Sequence, residues 1–339
     1  MQDIIRTALI GCGGISTLHM RAIEALEDVE IAYFCDTDIQ AAGQRAAQYG
    51  QGEVVEDYRR VLADPTVRAV HIATPHHLHA GMALEALASG RYVLCEKPMA
   101  ISIADARAMV AADNGKRLGI VFQNRYNDAT IAAKKLLDSG ELGTIQGIRA
   151  SVTWERGADY YALAEWRGRW DQEGGGSLIN QAIHTVDLMY YLGGPFAKIK
   201  GSISTDVLQG IVEVEDNSHA TIQYQNGTMG LLHTSNSFGI SPSPEVLIYC
   251  EKGLLALQSE RLTLMVDDKI TLLCDALKAV DGEGKACYGL SHSILIREFY
   301  KSIRADAPLF VDAAQGYPAI WAVLGIYASS REDRWIEFA

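Results

Sequence analysis

A glycine-rich turn near the N-terminus has the composition of a phosphate-binding site. Gly11, Gly13 and Gly14 follow an apolar run, and an amphipathic stretch begins near Thr17. In such a unit the first glycine permits a tight turn, the second lets the backbone approach a pyrophosphate, and the helix N-terminus offers free N–H groups. Ser16 replaces the third glycine of this pattern and is small enough for close helix–strand packing. The turn predicts a dinucleotide site.

An acidic residue at the end of the next apolar run strengthens this prediction. Asp36 lies twenty residues after Ser16, where a carboxylate is expected to hold the adenosine ribose diol. The carboxylate would also repel a 2′-phosphate, and residues 37–39 contain no Arg or Lys, so NAD is favoured over NADP. Two alternatives stay open: a plain tight turn with Asp36 capping the next helix, or another ligand such as S-adenosylmethionine.

A lysine follows the fifth predicted strand. Lys97 lies between Glu96 and Pro98, just after the apolar run 92–95, and ligands of open α/β sheets bind at the carboxyl ends of strands. Desolvation and a positive nicotinamide ring would lower the pKa of this amine, so that it exchanges a proton with a substrate hydroxyl near neutral pH. The alternative is a surface lysine paired with Glu96.

A second polar group follows the triple glycine at 174–176. Asn180, His184 and Asp187 are spaced four and three residues apart, which predicts one shared helix face in an otherwise apolar stretch. This stripe suggests a site, and a core helix with satisfied polar groups is the alternative. The glycines suggest a close approach of backbone to a ligand.

Aromatic and basic side chains cluster between residues 154 and 170; they are Trp154, Arg156, Tyr160, Tyr161, Trp166, Arg167, Arg169 and Trp170. Aromatic rings stack on the apolar faces of sugar or cyclitol rings, while Arg and Asn hydrogen-bond hydroxyls or a carboxylate. A subunit interface or a small core uses the same residue types and stays open. The substrate-binding residues that we expect are Lys97, Tyr126, Trp154, Arg156, Tyr160, Trp166, Arg167, Asn180 and His184.

Composition and charge restrict the class of protein. The chain has 339 residues, 48% hydrophobic and 21% charged, which is typical of globular proteins and suggests about two domains. The net charge of −12 and the absence of Lys/Arg runs longer than two argue against nucleic-acid binding. No run of 18 apolar residues and no signal-like N-terminus is visible, so we expect a cytoplasmic protein without membrane association.

The cysteines and histidines do not indicate a metal or a disulfide framework. The six cysteines are widely separated and are expected to be reduced thiols; they are Cys12, Cys35, Cys95, Cys250, Cys274 and Cys287. Four histidines between residues 71 and 79 lack the ligand spacing of a zinc site, and we expect no bound metal.

The elements that must position these residues follow two patterns. Short apolar runs alternate with amphipathic stretches up to residue 122, which predicts strand–helix units around a parallel sheet. The predicted strands there are 4–10, 29–35, 53–55, 67–73, 92–95 and 118–122, and the helices are 17–28, 37–49, 57–64, 78–89 and 102–114. Later runs broken by Gly, Asn, Asp and Pro predict a mainly antiparallel sheet with helices.

The fold class predicted is therefore α/β followed by α+β, with domains at 1–122 and 123–339. In the second domain the strands are predicted at 145–155, 197–206, 217–225, 227–236, 245–250, 253–258, 261–266 and 269–274, with a hairpin at Asn226-Gly227. The helices are predicted at 128–139, 177–192, 290–304 and 315–330.

Four motifs taken together resemble the Gfo/Idh/MocA oxidoreductase family. They are GCGGIS at 11–16, TPHHLH at 74–79, EKP at 96–98 and GGGSLINQAIHTVDL at 174–188. The resemblance implies an N-terminal doubly wound Rossmann domain and a C-terminal domain for substrate binding. The open sheet of that second domain would assemble homodimers or homotetramers.

Residue roles also follow from the resemblance. It implies that Lys97 transfers the proton, that His184 hydrogen-bonds the reacting hydroxyl or assists the proton relay, and that Asn180 contacts a neighbouring hydroxyl. The dinucleotide would bind at Gly11, Gly13, Gly14, Ile15, Asp36, Thr74, Pro75, His79, Glu96, Lys97 and Gln123.

Two positions depart from the family pattern. Asn180 stands where many members have Asp, and an amide cannot act as a base, so Lys97 would carry more of the proton transfer. His76 stands where many members have Asn or Pro.

The expected reaction oxidises a secondary alcohol of a sugar, sugar acid or cyclitol with NAD. One alternative is an NAD-using glycosidase or eliminase that works through transient oxidation. Another is a non-catalytic sugar or nucleotide sensor, against which the presence of both Lys97 and His184 argues.

Overall fold

The computed structural model describes residues 4–113, 115–258, 260–275 and 291–338. The chain divides into two compact units, Met1–Gln123 with Ser291–Tyr317 and Asn124–Leu290 with Pro318–Ala339. The chain thus returns to the first unit after residue 290, a return that a division at residue 122 does not include. Cys287 and position 290, where a helix was predicted to begin, lie outside the described residues.

A parallel sheet forms the centre of the first unit. Its strands are β1 Ile5–Ile10, β2 Val29–Cys35, β3 Glu53–Val55, β4 Val67–Ile72, β5 Tyr92–Cys95 and β6 Leu118–Ile120. They lie in the order β3-β2-β1-β4-β5-β6, which is the doubly wound order of dinucleotide-binding folds. Only Arg68 of β4 is exposed, as expected for a parallel strand covered on both faces. The predicted Rossmann sheet is confirmed.

The helices lie between and after these strands. They are α1 Ser16–Glu24, α2 Ile39–Tyr49, α3 Tyr58–Ala63, α4 His79–Ala88, α5 Ile103–Ala112, α6 Asp128–Asp138, α7 Ala158–Tyr161, α8 Ile183–Gly193, α9 Ser291–Ala305 and α10 Ala313–Glu332. In the first unit α9 packs against α1. Across the described ranges, every helix falls short of the length or the apolar character that a bilayer crossing requires.

A mixed sheet forms the centre of the second unit. Its strands are β7 Ile145–Thr153, β8 Phe196–Ser204, β9 Asn217–Tyr224, β10 Met229–Ser235, β11 Glu245–Cys250, β12 Gly253–Gln258, β13 Arg261–Val266, β14 Lys269–Asp275 and β15 Ile336–Glu337. The order is β14-β13-β12-β11-β7-β10-β9-β8-β15. The β7–β10 pair is parallel and the other neighbours are antiparallel, so the predicted mainly antiparallel sheet is confirmed.

Local sequence explains the tight β9–β10 connection. Gly227 has φ +88°, a conformation that glycine adopts without strain. Asn226 accepts a hydrogen bond from the backbone N–H of Thr228 through its side-chain oxygen at 3.0 Å. The predicted hairpin at Asn226-Gly227 is confirmed. The helix α6 covers β12 to β14 on one face of the sheet, and α8 covers β7 and β11.

Candidate active site

The register of the parallel strands brings four loops to one edge of the first unit's sheet. Ile10 pairs with Cys35 and Ile72, and Ile72 pairs with Cys95. The residues that follow these strand ends therefore begin neighbouring loops. The strand order reverses between β1 and β4, and ligands of doubly wound sheets bind beside that reversal.

The backbone around position 11 leaves room only for glycine. Its φ is +93°, and a Cβ added there would lie 2.5 Å from the carbonyl carbon and oxygen of Ala73. The loops after β1 and β4 approach each other too closely for any side chain at this position. The tight turn predicted at Gly11 is thus explained by contacts within the protein.

Gly13 and Gly14 have a different environment. A Cβ added to either glycine meets nothing within 4 Å. Ile15 precedes α1, no side chain caps that helix, and its first turn contains no acidic residue. The open backbone and uncapped N–H groups fit the pyrophosphate of a dinucleotide.

Asp36 lies beside this turn. Its Oδ2 accepts a hydrogen bond from the N–H of Cys12 at 2.7 Å, and its Oδ1 accepts one from Asp38 at 2.9 Å. Asp38, not Asp36, caps α2 by accepting from the N–H groups of Gln40 and Ala41. The alternative in which Asp36 is a helix cap is therefore wrong.

Gln123 supplies a second observation on cofactor fit. The residue begins a short 3₁₀ turn, Gln123–Tyr126, and is 1% exposed. Both polar atoms of its side chain are buried and make no hydrogen bond to the described residues. Such an amide is costly unless a ligand pairs with it. The open glycine turn and this amide both fit a bound NAD.

His79 connects two of the loops at this edge. Its imidazole lies between the carbonyl oxygens of Thr74, 2.8 Å away, and Pro98, 2.7 Å away. Thr74 and Pro75 follow β4, and Lys97 follows β5, so His79 fixes one loop relative to the other. This side chain is buried and bonded to the backbone, which gives it a positioning role here.

Glu96 begins a buried hydrogen-bonded chain that the sequence did not reveal. Its Oε1 lies 3.0 Å from His19 Nε2, and the Nδ1 atoms of His19 and His71 are 2.8 Å apart. His71 Nε2 lies 2.7 Å from the Tyr300 hydroxyl. These contacts link Tyr300, His71, His19 and Glu96 in one continuous chain.

The chain keeps Glu96 ionised. Burial by itself would raise the pKa of this carboxyl, but the hydrogen bond and charge of His19, followed by the charges of His292 and Lys97, lower the pKa to about 2. Burial also lowers the pKa of His71. The second carboxylate oxygen accepts the backbone N–H of Lys97 at 3.2 Å, so the chain holds the lysine's backbone. Among the described residues, no three His, Cys, Asp or Glu side chains are arranged to hold a metal ion.

In the second unit the aromatic and basic residues form one interlocked cluster. The Arg156 guanidinium lies 4.7 Å from the Trp154 ring centre and 5.2 Å from that of Tyr160. The Arg167 guanidinium lies 4.1 Å from the Tyr160 ring centre and 5.3 Å from that of Trp166. Six of the eight predicted residues are thus in contact, since Tyr161 packs edge-on against Tyr160, whereas Arg169 pairs with Asp171 and the Trp170 ring packs against Tyr327. We name it the arginine–tyrosine cluster; it comprises Trp154, Arg156, Tyr160, Trp166 and Arg167.

Amide side chains connect this cluster to the glycine-rich segment. Asn180 and Gln181 both donate to the Tyr160 hydroxyl at 3.2 Å. Asn180 also donates to Glu173, whose other carboxylate oxygen accepts the N–H of Gly168. Glu173 and Gln181 were not predicted as site residues, although Gln181 lies within the 174–188 motif and Glu173 directly precedes it. Tyr126 ends the 3₁₀ turn and is half-buried.

The three residues of the predicted polar stripe, Asn180, His184 and Asp187, have different surroundings. Residues Ser177–Ala182 form a π-helical turn before α8, so the regular helical spacing assumed for 177–192 does not hold throughout. Asp187 accepts two hydrogen bonds from Arg125, at 2.9 and 2.6 Å, and both side chains are 1% exposed. Asp187 is therefore committed to a buried ion pair, while Asn180 joins the arginine–tyrosine cluster. His184, the second residue of α8, is buried.

Packing within the protein accounts for two of the three glycines, Gly175 and Gly176, and the approach of a ligand to this segment stays a prediction. A Cβ on Gly175 would lie 2.0 Å from the Tyr327 hydroxyl, and one on Gly176 would lie 1.9 Å from the backbone oxygen of Glu215. The Glu215 carboxylate accepts N–H groups from Gly176 and Leu178, at 2.8 and 2.9 Å, and the Tyr327 hydroxyl at 3.0 Å. These contacts set the start of the π-helical turn.

Two family models match the chain. Residues 5–122 match a model described as an oxidoreductase family with an NAD-binding Rossmann fold. Residues 130–256 match a model described as the GFO/IDH/MocA C-terminal domain.

Individual relatives cover nearly the whole chain. Levoglucosan dehydrogenase of Pseudarthrobacter phenanthrenivorans is 26% identical, covering 88% of this chain and 87% of its own, and D-glucoside 3-dehydrogenase of Escherichia coli is 26% identical, covering 98% and 97%. The WlbA dehydrogenase of Bordetella pertussis, solved with NADH and UDP-GlcNAcA, is 30% identical with a TM-score of 0.86 and covers 99% of both chains.

Proposed function

Since this chain belongs to the GFO/IDH/MocA family of NAD-dependent oxidoreductases, we propose that it transfers a hydride between NAD and a secondary alcohol of a sugar, sugar acid or cyclitol. The relatives named levoglucosan dehydrogenase and D-glucoside 3-dehydrogenase support a carbohydrate substrate. The observation that carries the cofactor assignment is the open backbone over Gly13 and Gly14 beside the Asp36 carboxylate.

The first unit holds the dinucleotide and moves the proton in this proposal. The uncapped N-terminus of α1 takes the pyrophosphate, Asp36 the adenosine ribose, and Gln123 gains a partner for its amide. When bound, NAD accepts the hydride from the alcohol carbon. The Lys97 amine takes the hydroxyl proton, so the products are a ketone, NADH and a protonated lysine.

The second unit orients the substrate. His184 hydrogen-bonds the reacting hydroxyl, and Asn180 contacts a neighbouring one. The Asn180 amide can form hydrogen bonds but does not titrate near neutral pH. It therefore contributes orientation, and proton transfer stays with Lys97.

The proposal is tested with purified wild type and Lys97→Ala, each given NAD or NADP across sugars, sugar acids, inositols and sugar nucleotides. We expect NADH formation by the wild type with NAD, and a loss of about 10²- to 10⁴-fold in kcat for Lys97→Ala with unchanged NADH binding. Lys116→Ala is the matched control, because Lys116 in the same unit pairs with Asp306 at 3.2 Å. Near-full turnover by Lys97→Ala would exclude the proposed role of the lysine.

The same panel separates the alternatives. Cleavage of an aryl glycoside without accumulation of NADH would indicate the glycosidase or eliminase reaction. NADH binding with no chemistry on any compound would favour a sensor.

We also infer a homodimer or homotetramer assembled through the sheet of the second unit. The face of β10 opposite the helices exposes Met229 at 40% and Leu231 at 52%. A shallow depression beside them is lined by Arg149, His219 and Glu245. A cytoplasmic location is consistent with the free thiols of all five described cysteines.

A further inference from the structure

The Arg167 guanidinium has buried donors and no acceptor. Its Nε and Nη1 atoms are buried and make no hydrogen bond, and Arg167 forms no ion pair with any residue in the described ranges. Its contacts are the faces of Tyr160 and Trp166. Ring faces attract a cation but do not satisfy N–H groups, so these donors remain available to an oxyanion.

A second cation adds to the positive charge at this place. Arg156 lies over the same Tyr160 ring, donates to the backbone carbonyl of Glu155 at 2.7 Å, and has no carboxylate partner in the described part of the chain. One carboxylate, Glu173, lies near Tyr160, but its oxygens accept from Gly168 and Asn180. Among the described residues, neither guanidinium group has a carboxylate partner.

The cluster is rigid enough to select a ligand. The Tyr160 hydroxyl is fixed by Asn180 and Gln181, and the Trp154 indole N–H donates to the carbonyl of Pro242 at 2.9 Å. The guanidinium of Arg167 is therefore stacked on a ring that cannot turn freely. Preorganised donors bind an anion without a large entropy cost.

We propose that the substrate is a sugar that carries an oxyanion, a carboxylate or a phosphate, and that Arg167 binds this group. This rests on the proposed function, since Asn180 joins the arginine–tyrosine cluster to the hydroxyl-orienting residues. Arg156 adds a second positive charge, and Tyr160 holds both guanidinium groups. Neutral sugars and inositols leave the Arg167 donors unpaired and are weaker substrates.

The test measures binding by calorimetry on the NADH-loaded protein, followed by kcat/KM with NAD. D-glucuronate with D-glucose, and UDP-D-glucuronate with UDP-D-glucose, are pairs that differ only at C6, where the second member is neutral; the diphosphate is common to both UDP sugars. D-glucose 6-phosphate supplies the phosphate instead. We expect at least one oxyanion-bearing probe to bind wild type more tightly than its neutral partner, and the arm that does so identifies carboxylate or phosphate.

Variants assign this preference to the arginine. Arg167→Gln should weaken the preferred anionic probe by about 10- to 100-fold while changing its neutral partner little. Arg167→Lys should recover part of the affinity, because it keeps the charge. Arg169→Gln is the matched control, since Arg169 lies two residues away, is exposed and pairs with Asp171 at 3.2 Å.

Three outcomes would overturn the proposal. These are equal binding within every pair, equal losses of anionic and neutral probes in Arg167→Gln, and no binding by any probe. Anion preference with no NADH formation would leave the Arg167 site in place and count against the oxidoreductase reaction, so the two failures are distinguishable.

Discussion

At the scale of single residues, the glycine turn contains two kinds of glycine. Gly11 is fixed by its own φ of +93° and by the Ala73 backbone, which would lie 2.5 Å from an added Cβ, whereas Gly13 and Gly14 face open space. The fingerprint in the sequence assigns these glycines to one motif. The structure indicates that Gly11 serves the fold, and we propose that Gly13 serves the ligand.

This division predicts that alanine at position 11 lowers the stability of the fold, whereas alanine at position 13 weakens NADH binding. Gly11→Ala should lower the free energy of unfolding by about 2 to 5 kcal/mol, because the Cβ meets backbone atoms at a positive φ. Gly13→Ala should leave the unfolding midpoint of the apoprotein unchanged and weaken NADH binding about tenfold or more, because the methyl group occupies the space of the pyrophosphate. Thermal unfolding and NADH fluorescence titration measure the two effects. A stable Gly11→Ala protein, or unchanged NADH affinity in Gly13→Ala, would contradict the division.

At the scale of elements, the sequence patterns predicted the helices and strands that depend on residues close together in the sequence. Apolar β-branched runs gave every strand of the first sheet, since a buried parallel strand has a continuous apolar sequence. Helix periodicity could not reveal the π-helical turn Ser177–Ala182, because that turn depends on Glu215 and Tyr327, which are distant in sequence. The His19–His71–Tyr300 chain was missed because its members are also distant in sequence. The strand β15 was missed because two residues are too few to show an apolar pattern.

The buried Glu215 makes the stability of this turn depend on pH. Burial raises the pKa of this carboxyl to about 7, although hydrogen bonds from Leu178, Gly176 and Tyr327 lower it. The folded pKa is thus above the unfolded value of 4.5, so the contribution of Glu215 to stability is full below pH 4.5 and is lost as the pH rises through about 7.

Urea unfolding at pH 5 and pH 8 measures this contribution. We expect the wild type to lose stability between these pH values and Glu215→Gln to lose less. Glu213→Gln, two residues away at an exposed position, is the control, and its free energy of unfolding should change between these pH values as much as that of the wild type. If the free energy of unfolding changed equally with pH in wild type and Glu215→Gln, the carboxyl would not titrate in this range.

At the scale of the whole molecule, the described helices of the second unit cover one face of its sheet, and no described helix covers the other. Along β10, Met229, Leu231 and His233 are exposed, while the residues between them are buried. We propose that this exposed strip is the surface through which the chain assembles.

We predict that sedimentation of the wild type gives the mass of a dimer or tetramer at micromolar concentration. Leu231→Lys should shift the mass toward the monomer, because a two-fold interface would bury the new charge twice. Ile131→Lys on α6, at a position 48% exposed in the same unit, should leave the mass unchanged. A monomeric wild type would refute the assembly.

The return of Ser291–Tyr317 to the first unit has a consequence for synthesis on the ribosome. Tyr300 completes the hydrogen-bonded chain of His71, and Val311 accepts the N–H of Ile120 at the edge of β6. When the first 123 residues have left the exit tunnel, these partners have not yet been translated, and the face of α1 that packs on α9 is still bare. The nucleotide-binding half therefore begins to be made first but finishes folding only after residue 317 emerges. The second unit therefore begins to emerge while the first is still incomplete.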